Sequence, residues 1–389
     1  MAAQANDPPD FEIDGNRLTP IVAGEARLAA LVTLIESARS NVRLLYYIYC
    51  DDAAGQRVRA ALEAAQVRGV AVSLILDGFG SDGTDPHFFD RLLEAGADVC
   101  RFIPRWGRSY LLRNHQKLAI ADEERALVGG FNISNAYFDD GPEGWRDFGL
   151  QVEGPAAHHL VRYFDLIARW THHRRARVRT LRRALRRWSQ PEGDVRWLLG
   201  GPTRRLSPWA RAVRCDLLVA KRCDIVAAYF APNPGMLRKL ERIARRGGAA
   251  RVMTAARSDN LTTIAAARHC YRRLLKRGVA ISEYQRSRLH TKLFVIDDAV
   301  HVGSANFDMR SLYLNLELML RVEDAAFATH MRGYVEGEID DARPITAALL
   351  DERAGWFDRL RWSIAYFIVA VFDPALTRRF SLGAGRGEL

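Results

Sequence analysis

Hydrophobic positions along the chain switch between helical and strand spacing, and the same succession of switches occurs in both halves. After a polar leader, residues 25–40 (EARLAALVTLIESARS) carry apolar side chains three and four apart, which predicts a helix. The aromatic and branched run 42–50 (VRLLYYIYC) predicts a buried strand. A helix over 54–69 that stops at Gly69, a strand over 70–78, a helix over 87–96 and a strand over 97–103 follow. The second half predicts helices near 209–222, over 234–248 and over 262–278, each leading into a strand, at 223–232, 250–256 and 279–285. Strands alternating with helices predict an α/β fold with sheets covered on both faces. The matched order predicts an internal duplication, although the residues themselves have drifted apart. The expected division is a first domain over 17–190 that includes a basic helical linker, a second over 191–345 and a C-terminal segment over 346–389, with the boundary near residues 190–193.

Charge narrows the partners. A chain of 389 residues with a formal net charge of +11 predicts a polyanionic partner, either nucleic acid or an anionic membrane surface. The arginine-rich run 169–194 interleaves Trp170, Leu181, Leu185 and Trp188 among its cations, a pattern expected of an amphipathic surface that meets anionic headgroups. A second apolar run, 362–372, lies between Arg359/Arg361 and Arg378/Arg379. It is too short for the ~20 residues of a spanning helix, so it is expected in the interface, with Trp362 and Tyr366 at headgroup depth. The five cysteines (Cys50, Cys100, Cys215, Cys223, Cys270) show no C-x-x-C pair and no zinc spacing, which predicts reduced thiols in a cytoplasmic protein. The N-terminal residues show neither a basic region nor an apolar core, so no signal peptide is visible.

The candidate chemistry is a stretch written twice. His115-Gln-Lys117 with Asp122 is matched by His290-Thr-Lys292 with Asp297. In a strand, residues two apart share a face, so each histidine is expected to project with its lysine. The aspartates have the opposite parity, and supporting roles away from the chemistry are expected for Asp122 and Asp297. Each stretch runs on to glycines and an asparagine: Gly129, Gly130 and Asn132 in the first half, Gly303, Ser304 and Asn306 in the second. The glycines are expected to permit close approach of backbone to a ligand. An acid follows in each half, Asp147 and Glu317, and either could orient a histidine by accepting from Nδ1. A lysine beside each histidine argues against a metal and for a phosphate, held by Lys117, Lys292, Asn132, Asn306 and Ser304. One histidine would attack phosphorus, while the other protonates the leaving alcohol and deprotonates the acceptor.

HQKLAIAD…GGFN and HTKLFVID…GSANFD resemble the paired HKD motifs of the phospholipase D superfamily, and the duplicated plan matches over about residues 17–345. SLYLNLELML, ILDGFGS and RNHQK are similar to bacterial cardiolipin synthases, the short B-type in particular. The resemblance implies two α/β/α sandwich domains related by a pseudo-twofold axis, with one active site at their interface. It implies phosphatidyl transfer through a phosphohistidine with no metal or cofactor, His115 being the nucleophile and His290 the general acid/base. The implied partners are an anionic phospholipid membrane, on its cytoplasmic face, and phosphatidylglycerol; nucleic acid is not expected. A hydrolase of the same mechanism, acting on lipid or nucleic acid, and a non-catalytic binding protein are the other classes these residues allow.

Overall fold

The computed structural model describes residues 9–104, 112–173, 176–203 and 205–372. The first half supplies β1 (Phe11–Ile13), β2 (Asn16–Ile21), β3 (Asn41–Tyr46), β4 (Ala71–Asp77), β5 (Asp98–Phe102), β6 (Leu118–Ala121), β7 (Arg125–Gly129), β8 (Trp145–Arg146) and β9 (Gly149–Glu153). The second supplies β10 (Val195–Gly200), β11 (Arg222–Ala227), β12 (Phe230–Ala231), β13 (Ala249–Ala255), β14 (Ala280–Tyr284) and β15 (Arg288–Leu289). It continues through β16 (Lys292–Ile296), β17 (Ala299–Gly303), β18 (Phe307–Asp308), β19 (Glu317–Glu323) and β20 (Ala342–Ile345).

Two large mixed sheets result, one ordered β1-β2-β9-β7-β6-β3-β4-β5 and the other β10-β19-β17-β16-β11-β13-β14-β20. Within them β9-β7-β6-β3-β4-β5 and β19-β17-β16-β11-β13-β14 correspond strand for strand, so the duplication is one of topology as well as of pattern. Alternation along the strands sorts side chains into separate cores. In β3, Val42, Leu44 and Tyr46 face the outer helices of the first half, while Leu45 faces a central cluster. In β11, Cys223, Ile225 and Ala227 face the outer core of the second half, and Val226 faces the same central cluster. That central cluster joins the inward faces of both sheets with the helices Pro155–His172 and Ala325–Asp340.

Three expectations are corrected. The helix expected over 87–96 is short, Asp90–Glu94, and Phe88 and Phe89 before it pack as core residues. In the arginine run, Trp170, Leu181 and Leu185 are buried in the central cluster and Trp188 packs against it, so this apolar stripe closes a core and meets no membrane. Arg174 and Arg175 lie outside the described residues. In the C-terminal segment the helix Trp356–Tyr366 packs along the helix Leu261–Leu275 and continues as a π-helical turn, Phe367–Phe372. Trp362 points into the outer core of the second half, and the Tyr366 ring stacks on His269 while its hydroxyl donates to the Pro232 carbonyl at 2.8 Å. Neither ring therefore stands at headgroup depth. The outward stripe of this helix is instead Trp356, Phe357, Leu360, Ile364, Phe367 and Ile368, all exposed, at spacings that keep them on one side. Arg378 and Arg379 lie outside the described residues.

Candidate active site

The two His-x-Lys stretches meet where the halves dock. His115 and His290 each sit just before a strand, β6 and β16, rather than within it. The backbone N–H of His115 donates to the Leu316 carbonyl at 2.9 Å, and that of His290 donates to the Arg146 carbonyl at 2.7 Å. Each histidine is thereby aligned with the next residue of the opposite half. His115 Nδ1 lies 3.1 Å from Glu317 Oε2, and His290 Nδ1 lies 2.6 Å from Asp147 Oδ2. The acid that serves each histidine comes from the other half, a crossing that spacing alone leaves open. Both carboxylates are fully buried, and the histidine side chains are only 13% and 7% exposed. A carboxylate can only accept, so Nδ1 carries the proton and Nε2 keeps the free electron pair.

Lysines complete the centre. Lys117 Nζ donates to the His115 carbonyl at 2.6 Å, and Lys292 Nζ donates to the His290 carbonyl. Both ammonium groups are buried, and burial is the main force on their acidity. It holds Lys117 well below the ordinary lysine range and brings Lys292 down to about 8. Burial, then the neighbouring ammonium groups, also lowers both histidines, His290 to about 3, so both imidazoles are neutral at pH 7. Burial alone would raise Asp147, but His290 and Lys292 outweigh it and keep the carboxyl below its usual range. Further negative charge bound beside the two lysines would offset their effect and raise the histidine pKa values.

Asn132 and Asn306 occupy matching places. Their Oδ1 atoms accept from the backbone N–H of Ile48 (3.1 Å) and Tyr229 (3.3 Å), so Nδ2 is the group each can turn on an anion. Ser304 is placed differently from its expected phosphate contact. Its hydroxyl donates to Glu317 Oε2 at 2.5 Å, and Ser311 Oγ donates to Glu317 Oε1 at 2.8 Å, so both serines fix the acid that holds His115. The glycines make room for the acid strands rather than for a ligand. A Cβ on Gly130 would stand 2.5 Å from the Asp147 carboxylate, and Gly129 and Gly303 are crowded by the carbonyls of Phe148 and Leu318.

Asp122 and Asp297 lie at the far ends of β6 and β16, both in the left-handed region at φ 54° and 48°. Asp122 accepts from the N–H groups of Arg39, Ser40 and Asn41, and Asp297 from those of Lys221 and Arg222 at 2.8–3.1 Å. Each stitches a hairpin to the start of the neighbouring strand. Asp297→Asn keeps a residue tolerant of that backbone but loses a charged acceptor. The expected result is a loss of about 1–2 kcal/mol in denaturant unfolding with turnover per folded molecule unchanged. A stable but inactive variant would contradict this placement.

Other neighbours carried no sequence signal beyond looking like core. Tyr47 meets the His115 ring edge-on at 5.0 Å, and Tyr137 and Trp145 flank His290 at 5.0 and 5.4 Å. The buried Arg27 donates to the Asp147 carbonyl (2.7 Å) and the Tyr137 carbonyl (2.8 Å), bracing the strand that carries the acid. Among the described residues, three potential metal ligands converge at Asp98, Cys100 and His172, none of them part of this centre.

Residues 31–167 and 217–338 match the family described as cardiolipin synthase, PLD-like domain. The chain is 30% identical to cardiolipin synthase B of Salmonella typhi, over 93% of this chain and 90% of that protein. It is 29% identical to cardiolipin synthase A of Pseudomonas entomophila (strain L48), over 85% of this chain and 70% of that one. The crystal structure of phosphatidylserine synthase from Haemophilus influenzae Rd KW20 superposes with a TM-score of 0.71, covering 93% of this chain and 94% of that one. At 13% identity that likeness is one of fold.

Proposed function

The chain belongs to the cardiolipin synthase, PLD-like family, and from that premise we propose that it joins two phosphatidylglycerol molecules by phosphatidyl transfer through a phosphohistidine. The observation that carries this reading is the pair of imidazoles, His290 buried and His115 nearly so, each oriented by an acid of the opposite half and each beside a lysine. His115 Nε2 attacks the phosphorus of the donor lipid, and the bond from phosphorus to the headgroup oxygen breaks. His290, protonated once the phosphate has entered, gives its proton to the departing glycerol. It then takes a proton from a hydroxyl of the acceptor phosphatidylglycerol. That oxygen attacks phosphorus, the bond to His115 breaks, and cardiolipin leaves. Lys117, Lys292, Asn132 and Asn306 hold the non-bridging oxygens through both steps. The division at residues 17–190 and 191–345 fits this account, because each part brings one histidine and the acid for the other.

Incubation with labelled phosphatidylglycerol, with and without added glycerol, tests the reading. Cardiolipin should form without glycerol, and added glycerol should suppress it by running the first step backward, returning the phosphohistidine to phosphatidylglycerol. Phosphatidic acid as the main product would make water the acceptor and the protein a hydrolase; no turnover would end the catalytic reading.

The protein meets its lipid from the side. No described helix is long and apolar enough to cross a membrane. The exposed stripe from Trp356 to Ile368 is the surface we propose lies in the interface, on the cytoplasmic face, with Trp356 at 66% and Phe357 at 68% exposure offering the largest apolar area. Deleting the segment would uncover the helix Leu261–Leu275, so substitution is the cleaner test. The double variant Trp356→Ser/Phe367→Ser should lose flotation with anionic vesicles at high salt, where the unaltered protein stays bound, because burial of apolar area is not screened. Equal flotation of the two proteins at high salt would remove the stripe from the account.

A further inference from the structure

A cavity of ≈ 870 Å³ opens beside the junction of the two halves, and none of its lining residues belongs to the His-x-Lys centre. Arginines dominate it: Arg182 and Arg186 from the linker helix Val178–Trp188, Arg196 from β10, and Arg205 and Arg211 from the start of the second half. The volume falls in the range that small-molecule sites occupy. Two of the arginines are held in place by the backbone, Arg182 Nε donating to the Pro202 carbonyl at 2.6 Å and Arg196 to the Pro191 carbonyl at 2.5 Å. Among the described residues, Arg186, Arg205 and Arg211 are exposed and make no ion pair or side-chain hydrogen bond. The buried Nε of Arg196 also lacks an acceptor.

The carboxylate in the lining, Asp216, does not balance these cations. It is spent on His301 Nε2 at 2.7 Å and on a two-pronged contact with Arg321 at 2.9 and 3.0 Å. Burial, and after it the nearby Arg321, push the Arg196 guanidinium downward against the pull of Asp216, Glu323 and Asp194. Like charges held by rigid elements at one cavity repel, and a bound anion relieves that repulsion. Planar guanidinium groups grip phosphate oxygens two at a time. Leu198, Leu206 and Pro208 add an apolar wall beside them.

We propose that this cavity is a second, non-catalytic site for a phosphate-bearing anion, gripped by Arg186, Arg205 and Arg211 over a floor set by Arg182 and Arg196. The anion is either the headgroup of an acidic phospholipid or a soluble phosphate compound. The inference does not rest on the catalytic reading.

The test compares Arg186→Ala/Arg205→Ala/Arg211→Ala with Arg242→Ala/Arg245→Ala/Arg246→Ala, which removes equal charge from exposed positions elsewhere. Titration calorimetry with pyrophosphate probes the soluble source, and flotation with phosphatidylglycerol vesicles in phosphatidylcholine probes the headgroup. A charge-assisted contact is worth about tenfold or more in affinity, so the first variant, which loses three, should bind its ligand on the order of 10³-fold more weakly, and the second should match the unaltered protein. Selective loss of pyrophosphate binding assigns the site to a soluble phosphate, and selective loss of flotation assigns it to a headgroup. If the first variant binds both probes as the unaltered protein does, or if the second loses as much, the site does not exist. Turnover of short-chain phosphatidylglycerol should be unchanged in the first variant. An unaltered protein that binds but never turns over would sink the catalytic reading and leave this one standing.

Discussion

His115→Ala and His290→Ala are each expected to abolish detectable turnover while leaving a folded protein. Each removes a group that forms or breaks a bond to hydrogen or phosphorus, and no neighbour can substitute for it. Apart from the carboxylate held at each Nδ1, the side chains next to each ring are aromatic or cationic. The variants should differ in what accumulates. With His290→Ala, His115 can still attack, but the departing alcohol has no proton donor, so any phosphohistidine forms slowly and then persists. With His115→Ala, none forms. Acid precipitation after exposure to lipid labelled in the phosphate reads this difference, and label retained by His115→Ala would reverse the two roles. Stability carries a second signature. The buried His290 has a folded pKa near 3 against an ordinary 6.5, so between those values the unfolded chain binds a proton that the folded chain does not. Stability is therefore full above about pH 6.5 and falls as the pH drops toward 3. His290→Ala should flatten that part of the profile, as seen by chemical unfolding at a series of pH values.

Asp147→Asn is expected to lower turnover on the order of 10³–10⁴-fold, the scale on which neutralising the orienting acid acts in a triad. The carboxylate does two things in this structure. It fixes the Nδ1 proton of His290 at 2.6 Å, and it supplies negative charge near two buried ammonium groups. An asparagine can turn either its oxygen or its NH₂ group toward Nδ1, so the ring can adopt the wrong tautomer. The imidazolium that must form during transfer then has no counter-charge. The step that relies on a protonated His290 should suffer most. A nitrophenyl ester, whose leaving group needs no proton, should recover much of the lost first-step rate. An Asp147→Asn protein equally impaired on both substrates would mean that the acid positions the strand and does not support the proton.

The doubled His-x-Lys stretch could be read from the sequence because its parts are neighbours in the chain: a short lead, a strand, a turn and a second strand. The order of strands and helices along the chain, repeated in the two halves, was likewise implied by the succession of periodicities. The crossing of acid and histidine was not legible. It depends on how two folded halves meet, across 202 residues for His115 and Glu317 and 143 for His290 and Asp147. Trp362 shows a second limit. The helix that carries it is apolar on more than one side, and the sequence does not say which side the helix Leu261–Leu275 covers. Trp170, Leu181 and Leu185 show the same ambiguity, because an arginine-rich amphipathic helix looks alike whether its stripe meets lipid or a protein core. Tyr47, Tyr137 and Trp145 passed for ordinary core aromatics, since only the assembled site gives them a histidine to pack against.

The crossed contacts also bear on how the protein is made. A chain that has emerged from the ribosome only through its first half already carries His115, Lys117 and Asp147. Its histidine nevertheless has no carboxylate to hold it, and its aspartate has no imidazole to serve. The missing partners, His290 and Glu317, arrive late in synthesis, and the backbone contact from His115 to Leu316 arrives with them. Until then the nascent chain carries only half of each histidine–carboxylate pair. Under the proposed mechanism, synthesis of the second half as far as Glu317 is what would complete both pairs.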